Sequence, residues 1–181
     1  MSKILYLQAS PRTGRSHSLA VAAAFLEAYR EKDPGAEVVA LDLFKADLPP
    51  FDGLLVNAKY NILHGQPHPP EEAAAWRQVE GIITQFTAAD KYVLATPMWN
   101  FSIPYRLKQY LDIIVQPSYT FTYSPEAGYQ GLVTGKPLFV TYARGGQYPP
   151  GTPGEAFDLQ VKYVELIFGF MGFTDIHSVI V

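Results

Sequence analysis

No cysteine occurs anywhere in the 181 residues of this chain. That removes disulfide scaffolds, thiolate nucleophiles, iron–sulfur clusters and cysteine-ligated zinc together. Charge is scarce as well, at 17% of residues against about 25% for an average soluble domain. The 14 positive and 17 negative side chains leave a net charge of −3. Scattered Lys and Arg in a mildly acidic chain make no patch for a phosphate backbone, so nucleic acid is not an expected partner. Uninterrupted apolar runs approaching the ~18 residues of a spanning helix are also missing, and no membrane association is expected. The opening Ile4-Leu5-Tyr6-Leu7 stops at Gln8, short of the ~7–15 apolar residues of a signal-peptide core. The expected location is the cytoplasm.

What is plentiful is apolar surface. Hydrophobic residues make up 48% of the chain and aromatic residues 14%, which excludes a disordered polymer. Beneath so thin a charge layer, that surface must be covered by core, ligand or a second subunit. The length suits one domain spanning residues 1–181, able to bury about 70% of its extended surface.

Short apolar runs alternate with helical spacings along the chain. Lys3 to Leu7 reads as a buried strand ended by the polar turn Ser10 to Ser16. Leu19, Ala22, Ala23, Leu26 and Tyr29 follow at helical spacing, closed by Pro34-Gly35. Glu37 to Leu41 is a second strand, and residues 51–70 form a long Pro-rich excursion with a short helical piece. A helix over Glu71 to Phe86 starts after Pro70, with Trp76, Val79, Ile82, Ile83 and Phe86 on one face. Lys91 to Thr96 is the third strand and Tyr105 to Val115 a helix; Tyr119 to Tyr123 with Gly128-Tyr129 reads as an inserted hairpin. Pro137 to Tyr142 is the fourth main strand, followed by a helix from about Glu155 to Gly169 and a last strand Ile176 to Val181. Strand and helix alternate throughout. The fold class is therefore α/β, with a parallel sheet covered by helices on both faces and joined by right-handed crossovers.

Ligands of such sheets bind beyond the carboxyl ends of the strands, which singles out three loops. The first, Ser10-Pro11-Arg12-Thr13-Gly14-Arg15-Ser16-His17-Ser18, leads into a helix N-terminus, where free N–H groups and the helix dipole favour an anion. Neither G-x-G-x-x-G nor G-x-x-x-x-G-K-[ST] is present, so dinucleotide and NTPase loops are excluded. Helix capping would explain one serine; four hydroxyls within nine positions, with Arg12 and Arg15, favour a terminal phosphate. The second loop, Thr96-Pro97-Met98-Trp99-Asn100-Phe101-Ser102-Ile103-Pro104, offers a flat apolar wall around one amide, suited to a planar heteroaromatic ring. In the third, Tyr142-Ala143-Arg144-Gly145-Gly146-Gln147-Tyr148, paired glycines let backbone N–H groups approach a ligand closely.

These residues carry a resemblance. Ser10-Pro11-Arg12 with Ser16-His17-Ser18, the run Pro97 to Pro104, and Arg144-Gly145-Gly146 resemble the FMN-dependent NADH azoreductases, also described as NADH:quinone reductases, of the flavodoxin-like superfamily, over essentially the whole chain. The resemblance implies a doubly wound five-stranded parallel sheet in the order 2-1-3-4-5, and a homodimer with FMN sites at the interface. Carried over, Ser10, Ser16, Ser18 and the N–H of His17 hold the phosphate. Pro97, Met98, Trp99, Asn100 and Phe101 line the ring system and ribityl chain, and Ala143, Arg144, Gly145 and Gly146 meet the pyrimidine edge. Ala143 stands where the family commonly has Ser, which removes a ligand hydroxyl, and His17 stands where it commonly has Gln. The implied reaction is ping-pong hydride transfer from NADH or NADPH to quinones or azo compounds, with the flavin and no protein side chain as the catalytic group.

His17, His64, His68 and His177 lack metal-ligand spacing, and no metal is expected. Asn57, Tyr60, Tyr119 and Phe121 are further candidates for substrate contact, with interface packing as their alternative. An NADPH-preferring FMN or chromate reductase would share all these motifs. A flavodoxin-type electron carrier would be expected to be more acidic, and a non-catalytic FMN-binding module would lack reductase activity. The sequence ends at Val181, at the close of the last strand, without the helix that would normally cover such a sheet; either the chain is shortened or its sheet edge is covered differently, with a dimer partner supplying some of the cover.

Overall fold

The computed structural model describes residues 2–12 and 14–181; Met1 and Thr13, one of the hydroxyls counted above, lie outside the described residues. The elements follow one another as β1 (Lys3–Gln8), α1 (His17–Lys32), β2 (Glu37–Asp42), α2 (Gly53–Leu63), α3 (Pro70–Thr87), β3 (Lys91–Pro97), α4 (Tyr105–Ile114), β4 (Phe121–Ser124), β5 (Gly128–Gly131), β6 (Leu138–Ala143), a 3₁₀ turn (Pro153–Phe157), α5 (Leu159–Met171) and β7 (Ile176–Ile180). Five strands form one sheet in the order β2-β1-β3-β6-β7, every pair parallel. With the β4–β5 hairpin set aside as its own antiparallel ribbon, this is the expected 2-1-3-4-5 order.

Alternate residues of each strand face opposite sides of the sheet, and the two sides are covered unequally. Ile4 and Tyr6 of β1 and Val93 and Ala95 of β3 pack under Ala22 and Leu26 of α1 in the smaller core. Leu5 and Leu7, Tyr92 and Leu94, and Leu138, Val140 and Tyr142 face the larger core built from α2, α3, α4 and α5. On the α1 side, Phe139 stacks on Phe25 at 3.9 Å, while Val179 of edge strand β7 remains 40% exposed.

Local chemistry explains most element ends. Ser16 caps α1 by accepting from Leu19 N–H, and Asp52 caps α2 by accepting from Leu54 and Leu55. That second cap turns half of the 51–70 excursion into an 11-residue helix. Pro70 opens α3, and Trp76, Val79, Ile83 and Phe86 bury one face of it. Its C-terminal carbonyls at Thr87 and beyond at Ala89 accept from Lys136 Nζ at 2.5 and 2.6 Å. The helix expected from Glu155 begins later, at Leu159. Pro153 and Gly154 hold the preceding residues in a 3₁₀ turn, and Asp158 caps α5 by accepting from Val161 N–H at 3.1 Å.

Candidate functional site

The loops after β1, β3 and β6 meet at one edge of the sheet around a cavity of about 500 Å³. Nine of the residues assigned to the cofactor from sequence line it: Ser10, Ser16, His17, Pro97, Met98, Trp99, Ala143, Arg144 and Gly145, joined by Pro11, Val181 and the two loop arginines, Arg12 and Arg15. Ser18 lies behind this lining, buried, with its Oγ 3.2 Å from Ser16 Oγ. Gly146 lines a neighbouring hollow with Gly145 and Gln147. Asn100 borders a separate cavity of about 630 Å³ with Phe51, Tyr105 and Tyr163, and Trp99 is the partition shared by the two.

At one end of the 500 Å³ cavity sits the N-terminus of α1. Its first N–H groups have no intrahelical acceptor, and the dipole makes the position favourable for negative charge. Ser10, buried, accepts from Arg12 N–H at 3.4 Å, which turns the loop back towards the helix. From below, Thr141 of β6 donates to the Ser18 carbonyl at 2.8 Å and locks the first turn in place. The donor set is hydroxyl and amide beside exposed Arg12 and Arg15, the chemistry of a phosphate cradle.

At the other end the 97–104 loop forms a tight turn. Trp99 N–H donates to Ser102 O at 2.8 Å and Ser102 N–H to Trp99 O at 3.0 Å. Its two central residues, Asn100 and Phe101, have φ of 48° and 68°, as a type I′ turn requires. Asn tolerates that region; for Phe101 it costs roughly 1–2 kcal/mol. The Phe101 ring is 47% exposed, packs against Phe157 at 5.1 Å and is not part of the cavity lining. Met98 N–H donates to Ala143 O at 2.7 Å and ties this loop to the third one. A Cβ built on Gly145 would meet nothing within 4 Å, so its backbone is open to a ligand from the cavity side.

Two groups at the site were not singled out from sequence. Phe44, just beyond β2, lies 5.7 Å from the Trp99 ring and 5.8 Å from that of Tyr105. Its loop is fixed by α4: Arg106 donates to the carbonyls of Leu43 and Ala46 at 2.7 and 2.5 Å, and Gln109 to those of Leu48 and Pro49 at 3.2 and 3.0 Å. The rule that ligands sit at strand carboxyl ends would have found Phe44 had it been applied to the second strand too. The other is Asp158, whose Oδ2 lies 2.5 Å from Arg144 Nη1. No local pattern marks a pairing across 14 residues.

The four candidate substrate residues do not line the cavity. Asn57 and Tyr60 are exposed on α2. Tyr119 donates to Glu80 Oε1 at 2.6 Å, and burial followed by that bond raises its pKa. Phe121 packs on Phe170 at 4.8 Å. Tyr142, at the base of the third loop, is held neutral by burial, which pushes its pKa up. Among the described residues no group of three or more His, Asp or Glu is arranged to hold a metal, and no helix is long and apolar enough to cross a membrane.

A family profile described as flavodoxin-like fold matches residues 2–181. The FMN-dependent NADH:quinone oxidoreductase of Nitratidesulfovibrio vulgaris (strain DP4) is 57% identical over 181 residues, covering 100% of this chain and 86% of its own. The crystal structure of azoreductase from Bacillus anthracis str. Sterne superposes with a TM-score of 0.90 at 35% identity, covering 99% of this chain and 86% of that one. An FMN-dependent NADH-azoreductase from Bacillus anthracis str. Ames Ancestor, solved in complex with FMN, gives 0.88 at 30% identity with the same coverage of 99% and 86%. On this similarity, which runs the length of the sheet and through all three loops, the chain belongs to the FMN-dependent NADH:quinone oxidoreductase and azoreductase family of the flavodoxin-like fold.

Proposed function

We propose that the protein is an FMN-dependent oxidoreductase that passes two electrons from NADH or NADPH to quinones and azo compounds. The observation that carries this is one cavity with two chemically distinct ends: hydroxyls and helix N–H groups at α1, and an aromatic wall opposite open glycine backbone at β3 and β6. Relatives and structural neighbours named for FMN, NADH, quinone and azo reduction support it. FMN, when bound, supplies the hydride acceptor and donor that the side chains lack.

The chain's own residues bind and orient. Ser10, Ser16 and Ser18, with the His17 N–H, would hold the phosphate by hydrogen bonds, beside Arg12 and Arg15, whose charge would offset its own. Met98 and Trp99 give the ring system an apolar wall, kept upright by Phe44 and Tyr105. Gly145 and Gly146 would offer backbone N–H groups to the pyrimidine edge. Ala143 offers no hydroxyl there, so that edge is held by backbone donors. No side chain acts as acid or base in this reading.

Exposed Trp99 and Tyr105 line the two cavities, and exposed Phe101, from the same loop as Trp99, packs on exposed Phe157. We assign them to a homodimer whose second subunit closes the acceptor slot, in the cytoplasm. Tyr60 on α2 belongs to the same surface in this reading.

The purified protein is expected to be yellow, to release FMN on denaturation and to lose its visible absorbance when NADH is added without oxygen. Adding a quinone should restore the absorbance. A colourless protein with no affinity for added FMN, or a bound flavin that NADH leaves oxidised, overturns the reading. Turnover with NADH and NADPH side by side decides which nicotinamide it prefers.

A further inference from the structure

The first turn of α5 reaches both loops that wall the cavity. Asp158, 8% exposed, uses its two carboxylate oxygens differently. Oδ1 caps the helix through Val161 N–H, and Oδ2 takes Arg144 of the β6 loop. One residue on, Leu159 N–H donates to Phe101 O at 3.1 Å, holding the strained turn of the β3 loop. The next, Gln160, is completely buried and donates from Nε2 to Thr96 O at 3.2 Å, at the end of β3 itself. The guanidinium of Arg144 lies over the Tyr148 ring at 5.2 Å, and Tyr148 meets Phe101 at 6.4 Å.

Ladder bonding between β3 and β6 ends at the Pro97–Ala143 pair. Past the Met98 N–H bond to Ala143 O, no backbone hydrogen bond among the described residues joins the two loops. The Arg144 and Asp158 side chains are 10% and 11% exposed, so this is not a solvent-screened surface pair, and removing one partner leaves a buried charge unmatched. The arginine's charge is matched by Asp158 rather than left for a ligand.

We infer that residues 158–160 are a positioning clamp that sets the width of the flavin cavity, Asp158 holding the 144–146 loop through Arg144, and Leu159 and Gln160 holding the 96–101 segment. The ligand named here rests on the flavin reading; the clamp itself does not. Arg144 is then a positioning residue, and its contribution to flavin affinity passes through the geometry of its loop.

Asp158→Asn tests this, because Asn retains the helix cap while the charge partner is lost. Hydrogen exchange of the ligand-free protein should speed up in 99–102 and in 144–147. FMN titration should show about tenfold weaker binding, with an altered visible circular dichroism of the flavin. Lys136→Met, which uncaps α3 at the opposite end of the sheet, should lower the melting temperature and change none of these. Gln160→Met should speed exchange in 96–101 and serves as the deciding variant if Asp158→Asn does not fold. Wild-type exchange in both loops of Asp158→Asn, or in 96–101 of Gln160→Met, overturns the clamp. A wild-type protein that does not bind FMN overturns the flavin reading, and the exchange measurement still decides the clamp.

Discussion

Ser18 and Ser16 lie two residues apart at the start of α1, and their hydroxyls are 3.2 Å from each other. Ser16 accepts from Leu19 N–H and so is needed by the helix. Ser18 caps no helix N–H; its backbone carbonyl is fixed by Thr141, and its buried hydroxyl bonds to that of Ser16, from which a phosphate seated at α1 would draw it. Ser18→Ala should therefore weaken FMN binding about tenfold, the loss of one charge-assisted hydrogen bond of ~1.5–3 kcal/mol partly offset by water. The melting temperature of the ligand-free protein should hardly move. Ser16→Ala should lower both, because about 1 kcal/mol of capping goes with it. Fluorescence titration alongside a thermal melt separates the two; equal affinity of Ser18→Ala and wild type would exclude Ser18 from the phosphate site.

At the scale of elements, the β4–β5 hairpin is docked by close backbone approach as well as by side chains. A Cβ on Gly131 of β5 would sit 2.2 Å from the backbone nitrogen of Gly172. Gly172 itself ends α5 with φ of 110°, a conformation glycine adopts without strain. Val133 N–H then donates to Met171 O at 2.8 Å. Neither side of this contact can retreat without breaking the α5 end or the hairpin. Gly131→Ala is expected to cost about 1–3 kcal/mol, as overpacking does, read as a lower urea midpoint with the slope unchanged. An unchanged midpoint would show that the hairpin can swing away at no cost. The hairpin's Phe121 also packs on Phe170 of α5, so undocking it exposes aromatic surface.

The molecule as a whole stands on buried tyrosines in both cores. Tyr6, under α1, is pushed by burial to about 12, with a bond to Gln8 acting the other way. Tyr92, Tyr110 and Tyr142 in the larger core are raised further, again by burial first. Their ordinary value is 10.0. Above it the unfolded chain sheds these protons while the folded chain keeps them, so ionisation favours unfolding. Their contribution is complete below pH 10.0 and declines as pH rises through about 12 for Tyr6 and beyond that for the other three. Each group adds up to about 1.4 kcal/mol per pH unit to the slope. Urea midpoints should be flat at neutral pH and fall increasingly steeply in alkali, with the tyrosinate absorbance of these four appearing together with unfolding. Smooth titration of every tyrosine with the fold intact would contradict this.

The alternation of strands and helices and the three loops at one sheet edge were legible in the sequence, because each depends on neighbours a few residues apart. Apolar runs such as Lys3 to Leu7 bury both faces, Pro70 and Ser16 start helices, and glycine permits close approach. The 3₁₀ turn at 153–157 was not legible: helical spacing places the start of α5 at Glu155, and the Asp158 cap moves it to Leu159. The tertiary structure alone decided which distant groups share the site. Phe44 reaches Trp99 because β2 lies beside β1 and its loop is held by Arg106. Arg144 finds Asp158 because α5 begins where the ends of β3 and β6 diverge, and Tyr119 gives its hydroxyl to Glu80 across 39 residues. Such pairings are set by strand order and by where each crossover helix lands on the sheet, and neither is written in the spacing of nearby side chains.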